Sequence, residues 1–156
     1  MAIAYTVEKY LNMHDIPFDV VKHPHTQTSL KTADAAQIEG GCLAKAVLLE
    51  DDNGYMMAVL PATHHVKLGM VRHQTGRQVR MATEREVSDL FQDCERGAIP
   101  PLGQAYGIET ILDDSLMEHR DIYFEAGDHE ELIHMSCEQF EEAMSSAIHG
   151  QFSTST

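Results

Sequence analysis

Leu43-Ala44-Lys45-Ala46-Val47-Leu48-Leu49, then Asp52-Asn53-Gly54, then Tyr55-Met56-Met57-Ala58-Val59-Leu60, is the stretch that decides the fold. Two apolar runs of strand length flank an Asn-Gly step, which supplies the positive backbone angles of a tight hairpin turn. A β-hairpin is therefore predicted, with Pro61 closing its second strand because proline cannot donate to a ladder. Strand alternation groups Lys45 with Leu43, Val47 and Leu49 and sets Ala44, Ala46 and Leu48 on the other face. A lysine in such a strand is uncomfortable unless its ammonium reaches water, an acid or a ligand. Lys45 is then either a snorkelling residue or a cation at the mouth of a pocket, suited to a phosphate or a polarised carbonyl.

The flanking sequence supplies helices and further strands. Val7, Tyr10 and Leu11 recur at helical spacing and predict a first helix over about residues 6–14, ended before Pro17. Phe18 to Val21 is strand-like, and the polar run from Thr26 to Ser29 can cap a helix over about residues 30–38, stopped by Gly40-Gly41. After the hairpin, Val66, Met70 and Val71 suggest a helix with Gly76 as its C-terminal cap, followed by a strand over residues 77–81. Thr83-Glu84-Arg85-Glu86 is a capping box opening a helix that carries Val87, Leu90 and Phe91. Residues 108–112, 122–125 and 132–135 are predicted strands, with a short helical turn at 115–118. Ser136-Cys137-Glu138-Gln139 caps a last helix whose stripe is Phe140, Ala143, Met144 and Ala147. Interleaved helices and strands with hairpin signals indicate an α/β protein with a curled, mixed and largely antiparallel sheet.

At 156 residues the chain fits one domain, taken as residues 1–150, with residues 151–156 expected to form a disordered tail. No run approaches a membrane span, and Met1 to Tyr5 lacks the basic and apolar segments of a signal peptide. Cys42, Cys94 and Cys137 are odd in number and unpaired in spacing, which fits free thiols in a reducing compartment. A cytoplasmic protein is expected, with neither membrane nor DNA as partner. The net charge of −14 opposes non-specific nucleic-acid binding, yet Lys67, Arg72, Arg77, Arg80 and Arg85 form a basic stretch broken only by Glu84.

Arg96-Gly97-Ala98-Ile99-Pro100-Pro101-Leu102-Gly103 is the other distinctive stretch. Adjacent prolines exclude helix interior and central strand, leaving a stiff loop whose amides at Gly97, Ala98, Ile99 and Leu102 can face an acceptor. His134 sits inside a strand, where a histidine is usually structural. Asp113-Asp114 follows a strand end, where a carboxylate caps a turn or meets a hydroxyl. His64-His65 and His23-Pro24-His25 lack metal-ligand spacing, so neither a metal nor another cofactor is expected. No nucleophile elbow, Walker loop or dinucleotide fingerprint is present. Hydrolysis by such a chain would depend on oriented water and oxyanion stabilisation.

Ala44-Lys45-Ala46-Val47-Leu48-Leu49, the Gly97-Ala98-Ile99-Pro100-Pro101 loop, and Ala126-Gly127 with His134 seven places on together resemble the YbaK/prolyl-tRNA synthetase-associated domain family of aminoacyl-tRNA editing domains. The resemblance runs from about Ile16 to Phe140. It implies a twisted, barrel-like mixed sheet with flanking helices, and a deacylase of tRNA mischarged with a small amino acid. Lys45 matches the family lysine needed for editing, Gly97, Ala98 and Ile99 belong to the substrate loop with Pro100 and Pro101, and His134 matches a histidine of synthetase-inserted members. The implied partners are the 3′ end of mischarged tRNA and an aminoacyl-tRNA synthetase. Met57 and Asp113 are further candidates for the pocket wall. The alternative is a non-catalytic tRNA- or synthetase-binding adaptor or regulator on the same fold.

Overall fold

β2 (Leu43–Asp51) and β3 (Gly54–Pro61) form the predicted hairpin at the centre of the sheet, in full antiparallel register from Ala44 opposite Pro61 to Asp51 opposite Gly54. The computed structural model describes residues 3–26 and 28–155. Helix α1 (Tyr5–Met13), strand β1 (Asp19–Lys22) and helix α2 (Ser29–Ala36) precede the hairpin, and a 3₁₀ turn at Gly40–Cys42 leads into it. Behind it come β4 (His64–Val66), α3 (Leu68–Thr75), β5 (Arg80–Met81) and α4 (Glu84–Leu90). The second half contributes β6 (Glu109–Asp113), β7 (Asp121–Glu125), β8 (Glu131–Ser136), α5 (Cys137–Ala143), β9 (Ile148–Gly150) and β10 (Ser153–Ser155).

The large sheet runs β1-β8-β7-β2-β3-β6-β9, with β5 added to β2. Pairs β1/β8, β7/β8, β2/β3 and β2/β5 are antiparallel, while β2/β7, β3/β6 and β6/β9 are parallel. Both capping boxes form as predicted, at Thr83/Glu86 and Ser136/Gln139. Each satisfies orphan amides at a helix start and fixes where α4 and α5 begin. Gly76 caps α3 in the left-handed conformation, as predicted.

Alternation divides the core. One sheet face presents Ala44, Leu48, Met57, Val59, Leu112, Phe124 and Ile133 to the main core, where Phe91, Leu102 and Phe140 meet them. The other face is covered by two separate clusters. Leu49, Met56, Ala58, Leu60 and Ile111 pack with Val71, Val79 and Phe152, while Leu43 and Leu132 pack with Ala33 and Ala62. Lys45 shares this second face and falls between them, after Leu43 of one cluster and before Val47 of the other. A lysine is tolerated there because the apolar cover is interrupted at its position.

The end of the chain departs from expectation. Residues 151–155 are ordered by the body of the protein: Phe152 is fully buried, and Ser153–Ser155 pair antiparallel with β4. The polar composition suggested a loose tail, but one buried aromatic anchors it. Val66, expected in a helix, lies instead in the strand that receives this tail.

Candidate active site

The backbone pairing of β2 changes at Lys45. Leu43 and Ala44 pair in parallel with Tyr123 and Phe124, and pairing on that flank stops there. It resumes where Leu48 O accepts the Ala82 amide and Leu49 and Glu50 pair with β5. The next residues beyond the last parallel pair are Lys45 on β2 and Glu125 on β7, both on the second face. Parting of neighbouring strands is a place where α/β sheets receive ligands. Lys45 is half-buried, its ammonium donates only a 3.4 Å hydrogen bond to Ala62 O, and among the described residues no carboxylate pairs with it. Burial lowers its pKa from the ordinary lysine range.

Glu125 ends β7 in a group of buried polar side chains drawn from distant parts of the chain. Its Oε1 lies 3.2 Å from His23 Nε2, and its Oε2 lies 2.8 Å from His129 Nδ1, off the direction of an ideal hydrogen bond. Both imidazoles use their remaining nitrogen on a backbone carbonyl: His23 Nδ1 donates to Pro24 O at 2.7 Å, and His129 Nε2 to Arg96 O at 2.6 Å. Carbonyls accept only, so each ring spends an N–H on its carbonyl, and the nitrogen left toward Glu125 is an acceptor unless it too carries a proton. A proton on the carboxyl bonds it to one of the two rings and removes the negative charge that would face the other. Burial, reinforced by the charges of Asp128 and Glu95, pushes the Glu125 carboxyl up to about 8, and the protonated acid supplies that proton at neutral pH.

This group holds the proline loop. Besides His129 on Arg96 O, the Glu95 amide donates to Gly127 O at 2.6 Å. Gly97 follows with φ of 82°, a conformation costing an L-residue about 1–2 kcal/mol. A cleft of about 440 Å³ opens here, lined by His25, Thr26, Glu84, Glu95, Arg96, Gly97 and His129. The apolar half of the loop turns inward: Ala98, Pro100, Pro101 and Leu102 are buried, and half-buried Ile99 packs on the main core.

Several expected site residues are placed differently. The Ala98 amide is not free, since it closes a turn onto Glu95 O at 3.1 Å, whereas Gly97 and Ile99 amides make no hydrogen bond among the described residues. Met57 is fully buried in the main core because its strand parity points it away from the Lys45 face, so it is a packing residue. Asp113 is buried elsewhere, accepting from the Ser115 amide and hydroxyl through Oδ1 and from the Phe152 amide through Oδ2. It lines a separate hollow with His64, Ser115 and Gln151. Asp113→Ala is accordingly expected to lower stability by roughly 1–3 kcal/mol, read from denaturant midpoints, by orphaning those donors. Ligand binding at the Gly97 cleft should be unchanged.

His134 lies toward the other end of β7, stacked on Tyr123 with ring centroids 4.6 Å apart, between Asp121 at 2.9 Å and Asp19 at 3.3 Å. The histidine that reaches the loop is His129, two residues after Gly127 and itself at φ 59°. Its signal in the sequence was a histidine in the turn directly after Ala126-Gly127. His23 was visible only as part of a superficially metal-like triplet.

The basic stretch is engaged locally. Arg77 forms a two-pronged contact with Asp51 at 2.8 and 3.0 Å, holding that carboxyl down at about 2. Arg80 pairs with Glu50 and Asp52, and Arg72 Nε donates to Val79 O. These arginines brace the hairpin and α3 rather than presenting a bare cationic face.

Solved structures share this architecture. A candidate trans-editing enzyme for prolyl tRNA synthetase superposes with a TM-score of 0.85 at 22% identity, covering 97% of this chain and 96% of that one. A hypothetical protein, APE2540, gives 0.84 at 20% identity over 96% and 99% of the two chains. A candidate signal transduction protein from Marinobacter aquaeolei VT8 carries the same fold within a longer chain, with a TM-score of 0.79 at 23% identity over 98% of this chain and 31% of that one. These likenesses define an editing-domain type of α/β fold: a large mixed sheet with flanking helices. Residues 23–143 match the aminoacyl-tRNA editing domain family, and the chain belongs to it. No functionally curated protein matches the sequence. No helix among the described residues is long and apolar enough to cross a membrane.

Proposed function

We propose that this protein is a trans-editing hydrolase that removes a small amino acid from mischarged tRNA by water attack on the aminoacyl ester. The observation that carries the proposal is Lys45: a half-buried ammonium without a counter-ion among the described residues, on the flank where β2 and β7 part. Such a cation suits the terminal phosphate or the ester carbonyl, where negative charge develops as water adds. The amides of Gly97 and Ile99 are the available backbone donors for the adenosine or the oxyanion; Ala98 drops out because its amide is already bonded.

His129 Nε2 is held on Arg96 O and its buried Nδ1 faces Glu125, so the imidazole positions the loop instead of taking a proton from water. A vicinal ribose hydroxyl can then activate the water, and a tRNA ending in the deoxy analogue is expected to bind without turning over. With a net charge of −14 and the central arginines paired, tRNA is held weakly, which favours delivery by a synthetase.

The test is a deacylation panel of tRNAs mischarged with alanine, serine, cysteine and proline. Lys45-dependent release of at least one is the expected result. Binding of the same tRNAs without release of any would replace the hydrolase with an adaptor.

A further inference from the structure

At the opposite end of the β2/β7 pair from the Glu125 group, three side chains from two turns converge. We propose that Glu39, Cys42 and His119 form a binding site for one divalent cation of the zinc class. One ligand atom from each lies within 4.8 Å of the other two. Cys42 Sγ and His119 Nδ1 are 3.4 Å apart. Tetrahedral zinc with a sulfur at about 2.3 Å and a nitrogen at about 2.0 Å separates those atoms by roughly 3.5 Å, so this pair is already at the spacing a shared metal requires. A thiol, an imidazole and a carboxylate also form the mixed donor set that zinc accepts, leaving a fourth position for water.

The local backbone is built to bring them together. Glu39 O accepts the Cys42 amide at 3.0 Å, closing the turn that sets these side chains three residues apart. Gly41 between them has no need of a left-handed conformation, and its role is space. A Cβ there would lie 3.1 Å from His119 Nε2, so the glycine leaves a seat for the imidazole. Asp121 adds negative charge beside the group and is itself held by His134 at 2.9 Å.

The position gives the cation a structural role. Cys42 directly precedes β2, and His119 lies two residues before β7. These strands pair at only two positions, Leu43–Tyr123 and Ala44–Phe124, before they separate at Lys45. A metal joining residues 42 and 119 would clip the strands at their joined end and fix the angle at which they part. The site stands independently of whether the chain hydrolyses aminoacyl esters.

Reduced, chelator-stripped full-length protein should bind one equivalent of Co²⁺ with a sulfur-to-metal charge-transfer band, and Zn²⁺ should displace it. The thiol proton is released to solvent on binding. Cys42→Ser and His119→Ala should abolish the band, and Glu39→Gln and Gly41→Ala should weaken binding by about tenfold or more. Absence of the band in wild type, or its persistence in Cys42→Ser, overturns the proposal. A second measurement avoids dependence on variant folding: Zn²⁺ should slow alkylation of Cys42 in wild type while Cys94 and Cys137 react as before. Equal protection of all three thiols, or of none, also overturns it.

Discussion

Lys45→Met is expected to reduce kcat/KM for deacylation by about 10²–10³, the typical loss of one preorganised electrostatic group, while the unfolding midpoint stays level or rises. The two effects have opposite causes in one environment. Lys45 sits in the seam between two apolar clusters, where burial opposes its charge and, among the described residues, only the distant Ala62 carbonyl answers it. A methionine of similar reach fills the seam without an ion to desolvate, so folding loses nothing. The ester loses the cation that meets its developing charge. A residue kept at some cost to stability is the usual signature of a site, and the stability–activity split distinguishes it from a packing role. Lys45→Ala should show the same activity loss. The alkaline limb of the wild-type profile should fall earlier than an exposed lysine would give, because the pKa is lowered. Normal turnover by both variants would remove Lys45 from the mechanism.

The elements legible in the sequence were those whose cause is local. Asn53-Gly54 sets a turn, and Thr83 and Ser136 each find a partner three residues on, so the hairpin and two helix starts follow from short windows. β4, β9 and β10 have three residues each, too few for periodicity, and β10 exists because Phe152 is buried and its amide meets Asp113, 39 residues away. The electrostatics were hidden for the same reason. Arg77 looked available for nucleic acid because Asp51, its partner, is 26 positions upstream across the hairpin turn.

At the candidate site, Lys45 and the proline loop were conspicuous because each breaks a local rule: a charge in an apolar strand, and paired prolines in a loop bounded by glycines. His23, Glu125 and His129 break none individually. Their meaning arises only when β1's exit, β7's end and the turn after Gly127 are folded onto one another, over a separation of 102 residues between His23 and Glu125. Met57 illustrates the converse. It was a candidate for the pocket wall, but odd-numbered Lys45 and odd-numbered Met57 lie on opposite faces once Lys45 pairs with Leu60 and Leu48 with Met57.

The Glu125 group makes stability depend on pH in a direction opposite to that of most carboxylates. An unfolded glutamate releases its proton near pH 4.5, whereas burial holds the native Glu125 proton to about pH 8. Between those values the native state binds one more proton than the unfolded state, so its stability falls as pH rises. The contribution is complete below about pH 4.5 and lost as pH passes 8, with a total on the order of a few kcal/mol. Ordinary salt-bridged acids such as Asp51, held down at about 2, act the other way and only at acid pH. Glu125→Gln isolates the effect, since its amide keeps the shape of the protonated acid and offers an NH₂ donor group and a carbonyl acceptor but cannot ionise. Denaturant midpoints of wild type and Glu125→Gln should lie close together at pH 5.5 and diverge by pH 8.5, the variant being the more stable there. The same rise in pH should loosen the Arg96–Gly97 turn in wild type alone, because an ionised Glu125 turns a negative oxygen toward His129 Nδ1 at 2.8 Å while Nε2 holds the loop. Parallel stability profiles across that range would mean that Glu125 is already charged at pH 5.5, with a histidine carrying the proton, and would remove the neutral-acid latch from the account of the loop.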